Sequence, residues 1–304
     1  MAATDGTNGT NGTHSINGSD LRSRLDRDGF VLIPSILTES ELTNLRAASA
    51  RSTALARSGK WPYIRTLPKQ FPPWTSDISN GIWGVQHLLH PNMPDHTLFA
   101  ESYFQDKVVG AVEEILQCGD DELIMELYNL LIRPDRDFEL RWHRDDIPPE
   151  MSDEQELERL NEPAFHAQWN LALYDDRSLI VVPGSHKRAR TKKEREADPW
   201  EKNMPGQLIV EMRPGDVVFY NNNILHRGAY DSNVERMTLH GSLGQIKGSA
   251  HRARNVLQHG VGDWIERADF SGLDEKTKKR ATEMRERLFE MGRNSGDVGF
   301  SQPD

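Results

Sequence analysis

The chain has 304 residues, of which 36 % are hydrophobic and 28 % charged, with a formal net charge of −10 and one cysteine, Cys118. The single thiol excludes a disulfide framework within the chain, and the acidic balance argues against tracking nucleic-acid phosphates; a globular protein of a reducing, cytoplasmic setting is expected. No apolar run approaches the roughly 18 residues of a transmembrane helix, so no membrane partner is expected either.

Residues 1–19 are Gly, Asn, Thr and Ser with a repeated Asn-Gly-Thr, a composition expected to be disordered; residues 20–304 are expected to form a single domain. Thr38 and Glu41 make a capping box for a helix running to Arg57, with Leu42, Leu45 and Leu55 along it. Residues 59–100 are punctuated by Pro62, Pro68, Pro72, Pro73, Pro91 and Pro94 and read as an irregular insertion. Its Trp83, Gln86 and His87 suit packing of that loop onto the rest better than substrate contact. Val108, Val109, Val112, Ile115 and Leu116 give an amphipathic helix over 104–117, and Cys118 reads as a small buried hydrophobe.

Strands are then predicted at about 123–133, 139–145, 166–174, 179–183, 207–212, 216–221 and 236–243. Many short strands preceded by helices predict a mainly β protein with flanking helices, a double-stranded β-helix or jelly roll of the cupin-like kind, with a ligand cavity between its layers. A second insertion spans 147–165, where Ser152 and Gln155 cap an acidic helix to Leu160; it reads equally as a lid and as cover for a sheet edge. The basic run from His186 to Arg195 reads as a solvated loop, with a dock for an anionic substrate such as a coenzyme A thioester as the alternative. Residues 274–291 predict a surface helix.

Chemistry concentrates at two places. His143 and Asp145 lie two residues apart, so in an extended strand they project to the same side. His226 follows a turn and an apolar strand. Two histidines and one carboxylate leave one face of an octahedral metal open, the signature of non-haem Fe(II) oxygenases. Pleating turns Asp146 away from His143, which favours Asp145 as the carboxylate ligand. Trp142, beside His143, should face outward and serve packing. Arg236 opens an apolar strand and is a ready bidentate partner for a carboxylate, whereas Arg227 directly follows His226 and should point away. Asn129 and Gln168 are amides inside apolar strands and need partners, among which a cofactor is one candidate. His240 and Thr238 share the strand face of Arg236, and no role is assigned to His240.

Four blocks carry a family resemblance: Asp28-Gly29-Phe30-Val31-Leu32-Ile33-Pro34 with the helix that follows; Arg133-Pro134 with Trp142-His143-Arg144-Asp145; Val181-Val182-Pro183-Gly184-Ser185-His186-Lys187; and Pro214-Gly215-Asp216 with His226-Arg227-Gly228 and Arg236. In these the chain resembles the phytanoyl-CoA dioxygenase family of Fe(II)/2-oxoglutarate enzymes, over roughly residues 20–250. The resemblance implies His143, Asp145 and His226 as metal ligands and Arg236 as the clamp on the far carboxylate of 2-oxoglutarate. It also implies Fe(2+), 2-oxoglutarate and O2 as cofactor and co-substrates, with ascorbate as activator. His186 recurs in the family as a loop-fixing residue. Two departures stand out. The distal His to Arg gap is ten residues where the family has eleven, and the acidic stretch before Pro-Gly-Ser-His is shortened to Asp175-Asp176-Arg177-Ser178, read as a tighter hairpin. Asp145 disfavours halogenation, because halogenating relatives carry a small residue there.

The expected activity is oxidation of a small-molecule substrate, by hydroxylation or by desaturation or cyclisation, with release of succinate and CO2, in a monomer or homodimer. The alternatives are a cupin-like metal enzyme that does not use 2-oxoglutarate, a non-catalytic ligand-binding member of the family, and a protein or nucleic-acid demethylase, against which the acidic charge argues.

Overall fold

The structure is a computed structural model and describes residues 20–293 and 295–298. The polar tail of residues 1–19 lies outside the described residues. The elements run α1 (Asp20–Asp28), β1 (Phe30–Ile33), α2 (Glu39–Arg57), β2 (Ile64–Thr66), β3 (Ile82–Val85), α3 (His96–Phe104), α4 (Asp106–Leu116), β4 (Leu123–Ile132), β5 (Phe138–Glu139) and α5 (Asp153–Leu160). They continue with β6 (His166–Ala172), β7 (Leu179–Val181), α6 (Lys192–Glu196), β8 (Leu208–Ile209), β9 (Val217–Tyr220), β10 (His226–Tyr230), β11 (Met237–Gln245), α7 (Ala250–Gln258) and α8 (Glu275–Gly292).

The strands form two antiparallel sheets. The larger has the order β1-β9-β6-β11-β4-β3-β2 and the smaller β5-β10-β7-β8. This is the expected mainly β architecture with flanking helices, a jelly roll. Side-chain alternation sets what each face of the larger sheet does. Trp169, Leu171, Phe219 and Leu239 enter the main core, which α2, α3, α4 and α8 cover from outside. Their neighbours Gln168, Asn170, Tyr220 and His240 point the other way, into the space between the sheets. Arg280 of α8 fixes that helix from beneath, donating to Asp120, Asp106 and the Phe104 carbonyl.

Three sequence expectations change. Residues 59–100 are not simply irregular: β2 and β3 extend the larger sheet at its edge, because short strands fit between the prolines. The predicted strand at 139–145 is regular only at Phe138–Glu139, after which it is tied by an isolated bridge, His143 to His226. The strand expected at 207–212 shrinks to Leu208–Ile209. Thr38 caps α2 and Ser152 caps α5 through the predicted reciprocal boxes. Cys118 is half-buried against the main core.

An aromatic cluster holds the 59–100 segment to the C-terminal region. His87 packs edge-on to Tyr63 and Trp264, and Trp74 donates through Nε1 to the His259 carbonyl, 2.7 Å away. Burial pushes the imidazole of His87 down to about 3 and that of His259 down to about 4, from 6.5. Both are therefore neutral when folded and protonated below pH 6.5 when unfolded, so the unfolded state binds more protons and stability falls as the pH is lowered. Acid titration of the metal-free protein, followed by urea unfolding, should show stability declining from pH 6.5 towards pH 4, by up to about 1.4 kcal/mol per pH unit for each histidine. His87→Phe should flatten the slope.

Candidate metal centre

His143, Asp145 and His226 come together: one ligand atom from each lies within 4.8 Å of the others. Asp145 Oδ1 is 3.5 Å from His143 Nε2 and 3.7 Å from His226 Nε2. Backbone pairing builds this arrangement. His143 N–H donates to the His226 carbonyl (2.9 Å) and His226 N–H to the His143 carbonyl (3.0 Å), while Asp145 N–H donates to the Asn222 carbonyl (2.9 Å). Alternation then sends His143 and Asp145 to the same side, although the segment is not a continuous strand.

The donor chemistry fits a divalent metal. His143 Nδ1 lies 2.8 Å from the Arg141 carbonyl and His226 Nδ1 lies 2.8 Å from the Ile224 carbonyl. A carbonyl can only accept, so each Nδ1 carries a proton, and in the neutral ring Nε2 is left as the lone-pair atom for a metal. Burial, then His143, pushes His226 down to about 4, which keeps its ring neutral. Burial would raise the Asp145 carboxyl, but His226, His143 and Gln168 outweigh it and hold it well below the usual carboxylate range. Gln168 Nε2 donates to Asp145 Oδ2 at 3.0 Å, leaving Oδ1 to the metal side. The ring of Tyr220 meets His226 edge-on at 5.4 Å.

The triad opens into a cavity between the sheets. Arg236 lines it just before β11. Its Nε donates to Asp176 (2.9 Å) and its guanidinium lies 4.5 Å from the Tyr230 ring, while Nη1 is buried with no partner. Thr238 and Ser178 also bond the Asp176 carboxylate. The guanidinium is thus held along one edge and keeps an unsatisfied donor for an incoming carboxylate. Arg227 lies elsewhere: it donates to Glu139 (3.0 Å) and the Trp200 carbonyl, over the Trp142 ring, and does not line the cavity. Trp142 itself is buried among Ile180, Val182, Met204 and Leu225.

Asn129 is not among the cavity-lining residues, and its carboxamide oxygen accepts from His87 N–H at 3.0 Å. Gln168 lines the cavity and meets Asp145. Trp83 lines the cavity, whereas Gln86 and His87 are buried behind it. His186 is buried and its Nε2 sits 3.1 Å from the Asp26 carbonyl. Asp146 meets Arg159 (2.9 Å) and Asn222.

The basic run is solvated only in part: Lys187, Lys192 and Lys193 are exposed, but its arginines are not. Arg190 and Arg195 both reach Glu156 of α5 at 2.7 Å, and Arg188 pairs with Glu194. Glu156 also receives Arg144 Nε at 2.7 Å. Arg144, fully buried between the two ligands of its own segment, further donates to the carbonyls of Ser185, Asn223 and Arg188. The insertion helix and the basic segment therefore clamp the back of the metal-ligand segments. Sequence reading missed Asp176, Arg144 and Glu156. Only the residual acidic pair at 175–176 hinted at the first.

Fold and site together define a 2-oxoglutarate-dependent non-haem iron oxygenase. The family model described as phytanoyl-CoA dioxygenase matches residues 25–237, and the chain belongs to that family. No curated protein matches the sequence. Among solved structures the fold is similar to EctD from S. alaskensis with 2-oxoglutarate and 5-hydroxyectoine (TM-score 0.55, 18% identity, covering 75% of this chain and 76% of that one). It is similar too to AviO1 from Streptomyces viridochromogenes Tue57 (0.53, 18%, 77% and 97%) and to HygX from Streptomyces hygroscopicus with nickel, 2-oxoglutarate and hygromycin B (0.52, 17%, 74% and 87%).

Glu156→Ala should leave buried arginines uncompensated and destabilise the protein by about 3–5 kcal/mol, read by urea unfolding. A loss below about 1 kcal/mol would show that the cluster is not a buried clamp.

Proposed function

We propose that this chain oxidises a C–H bond of a small-molecule substrate, by hydroxylation or by desaturation or cyclisation, with release of succinate and CO2, and that secondary metabolism is its setting. The observation that supports this most is the convergence of His143, Asp145 and His226 in one cavity with an arginine that keeps an unsatisfied buried donor. HygX and EctD, in the same fold, hold small molecules together with 2-oxoglutarate.

His143 and His226 would supply Nε2 donors and Asp145 one carboxylate oxygen, a facial set that suits Fe(II) and leaves the opposite positions open. Bound there, iron with 2-oxoglutarate and O2 supplies the oxidant for the C–H bond, and ascorbate would keep the metal ferrous. Arg236 anchors the far carboxylate of the co-substrate through its free edge, with Asp176 and Tyr230 fixing its plane. Gln168 orients Asp145 and so acts on the cofactor through the metal ligand. Asn129 acts more remotely, by holding the backbone at His87 behind the cavity wall. The sheets on either side exclude water from the reacting centre.

The described residues act as one domain, as a monomer or homodimer in the cytoplasm, without nucleic-acid or membrane partners. No helix among them is long and apolar enough to cross a membrane.

Asp145→Ala should abolish Fe(II)-dependent succinate formation and weaken binding of Co(II), a spectroscopic stand-in for the iron; full activity in this variant would remove the triad assignment. Arg236→Ala should raise the KM for 2-oxoglutarate by about tenfold or more while metal affinity stays within twofold, because a charge-assisted bidentate contact is lost. Arg227→Ala should leave that KM unchanged, and the reverse outcome would move the clamp to Arg227.

A further inference from the structure

We propose that the end of the cavity remote from Arg236 receives the substrate, and that Arg252 of α7 there binds an anionic oxygen group on it, a carboxylate or a phosphate ester. This deepens the preceding reading and rests on it.

α7 lies after residues 25–237, the part of the chain that the family model matches. It nonetheless contributes a cavity wall: Arg252, Asn255 and, just past its end, His259 recur at helical spacing and all line the cavity. Arg252 is oriented by Glu126, a β4 residue whose side chain is fully buried, through Nε (2.9 Å) and Nη2 (2.5 Å). No hydrogen bond engages Nη1 among the described residues. The side chain keeps 26% of its surface exposed and lines the cavity.

Strand β11 serves as a ruler. Arg236 stands immediately before its start, whereas the Glu126 carboxylate lies 2.7 Å from where a Cβ on Gly244 would be. From Arg236 to Gly244 the chain runs about 25 Å, at about 3.4 Å per residue and allowing for the bulge. Gln168, whose side chain holds Asp145, pairs with Ser242 on this strand, so the metal ligands stand nearer the Arg252 end. A five-carbon diacid that chelates at the triad and ends on Arg236 is directed away from Arg252. The two cationic ends therefore serve different molecules.

Glu126 balances Arg252, and Asp146 and Asp145 also act on it, but over the cavity lining guanidinium groups outnumber carboxylates. Asp145 and Asp146 are the carboxylates that line the cavity among the described residues, and Asp145 is spent on the metal. Asp146 is engaged by Arg159 and Asn222. Arg65 and Arg141 add two further guanidinium groups to the same lining.

The test uses the full chain loaded with Ni(II) and saturating 2-oxoglutarate. It is titrated by calorimetry with benzoate and phenyl phosphate against benzamide and benzyl alcohol. Wild type should prefer an anion over its neutral counterpart by about tenfold or more. The tighter of the two anions identifies carboxylate or phosphate as the group. Arg252→Lys keeps a cation for Glu126 but loses the free edge, and the double variant Arg252→Gln with Glu126→Gln removes the buried charges together. Each folded variant should lose the preference, to about twofold or less, with 2-oxoglutarate affinity unchanged. No anion preference in wild type, a preference that survives in the variants, or a parallel loss of 2-oxoglutarate affinity would overturn the inference. A wild type that takes up neither Ni(II) nor 2-oxoglutarate would instead overturn the preceding reading.

Discussion

Two backbone hydrogen bonds between His143 and His226, each closing the other's pair, hold the site together. They join segments remote in sequence at a point where the β5–β10 ladder has ended, while His226 itself still pairs with Val181 of β7. Everything at the metal follows from that bridge. It puts the two imidazoles side by side, with ring centroids 4.3 Å apart, and the next contact, Asp145 N–H to the Asn222 carbonyl, brings in the carboxylate. A bridge of one residue pair would be weak if left alone. Arg144 reinforces it from the opposite face, tying the segment of His143 to the carbonyl of Asn223, three residues before His226.

That reinforcement explains two features that look unrelated in sequence. The acidic helix after the ligand segment and the basic run near residue 190 are complementary halves of one buried cluster centred on Glu156. A fully buried carboxylate without a cation would be prohibitive, and buried guanidinium groups without a carboxylate equally so. Their mutual need anchors α5 against the turn at Ser185.

The cavity is built by division of labour between the sheets. The larger sheet supplies polar groups from alternate positions of β6 and β11, while the same strands send their intervening residues into the core beneath the helices. The polar groups are oriented by partners and not by rotamer preference alone. Gln168 holds Asp145, Asn170 holds His240 at 2.9 Å, Asp176 holds Arg236 and Glu126 holds Arg252. Preorganised donors of this kind keep their direction when ligands arrive.

Much of this was legible in the chain itself. The two-residue spacing of His143 and Asp145 and the strand rhythm around His226 specify ligand types and a layered β fold, because both are local patterns with a fixed period. Arg236 could be preferred over Arg227 on the same ground, since adjacent residues face opposite ways. Asp176, Arg144, Glu156 and Arg252 could not be placed this way, and Asn129 turned to a backbone N–H outside the cavity lining. Each of these is defined by a partner far along the chain, and a sequence records no distance between remote segments. The chain by itself thus determined which groups can hold a metal and on which side of their strands they stand. Only the tertiary structure decided which charges neutralise one another and which are left facing the cavity, because that depends on how sheets and helices close around a shared interior.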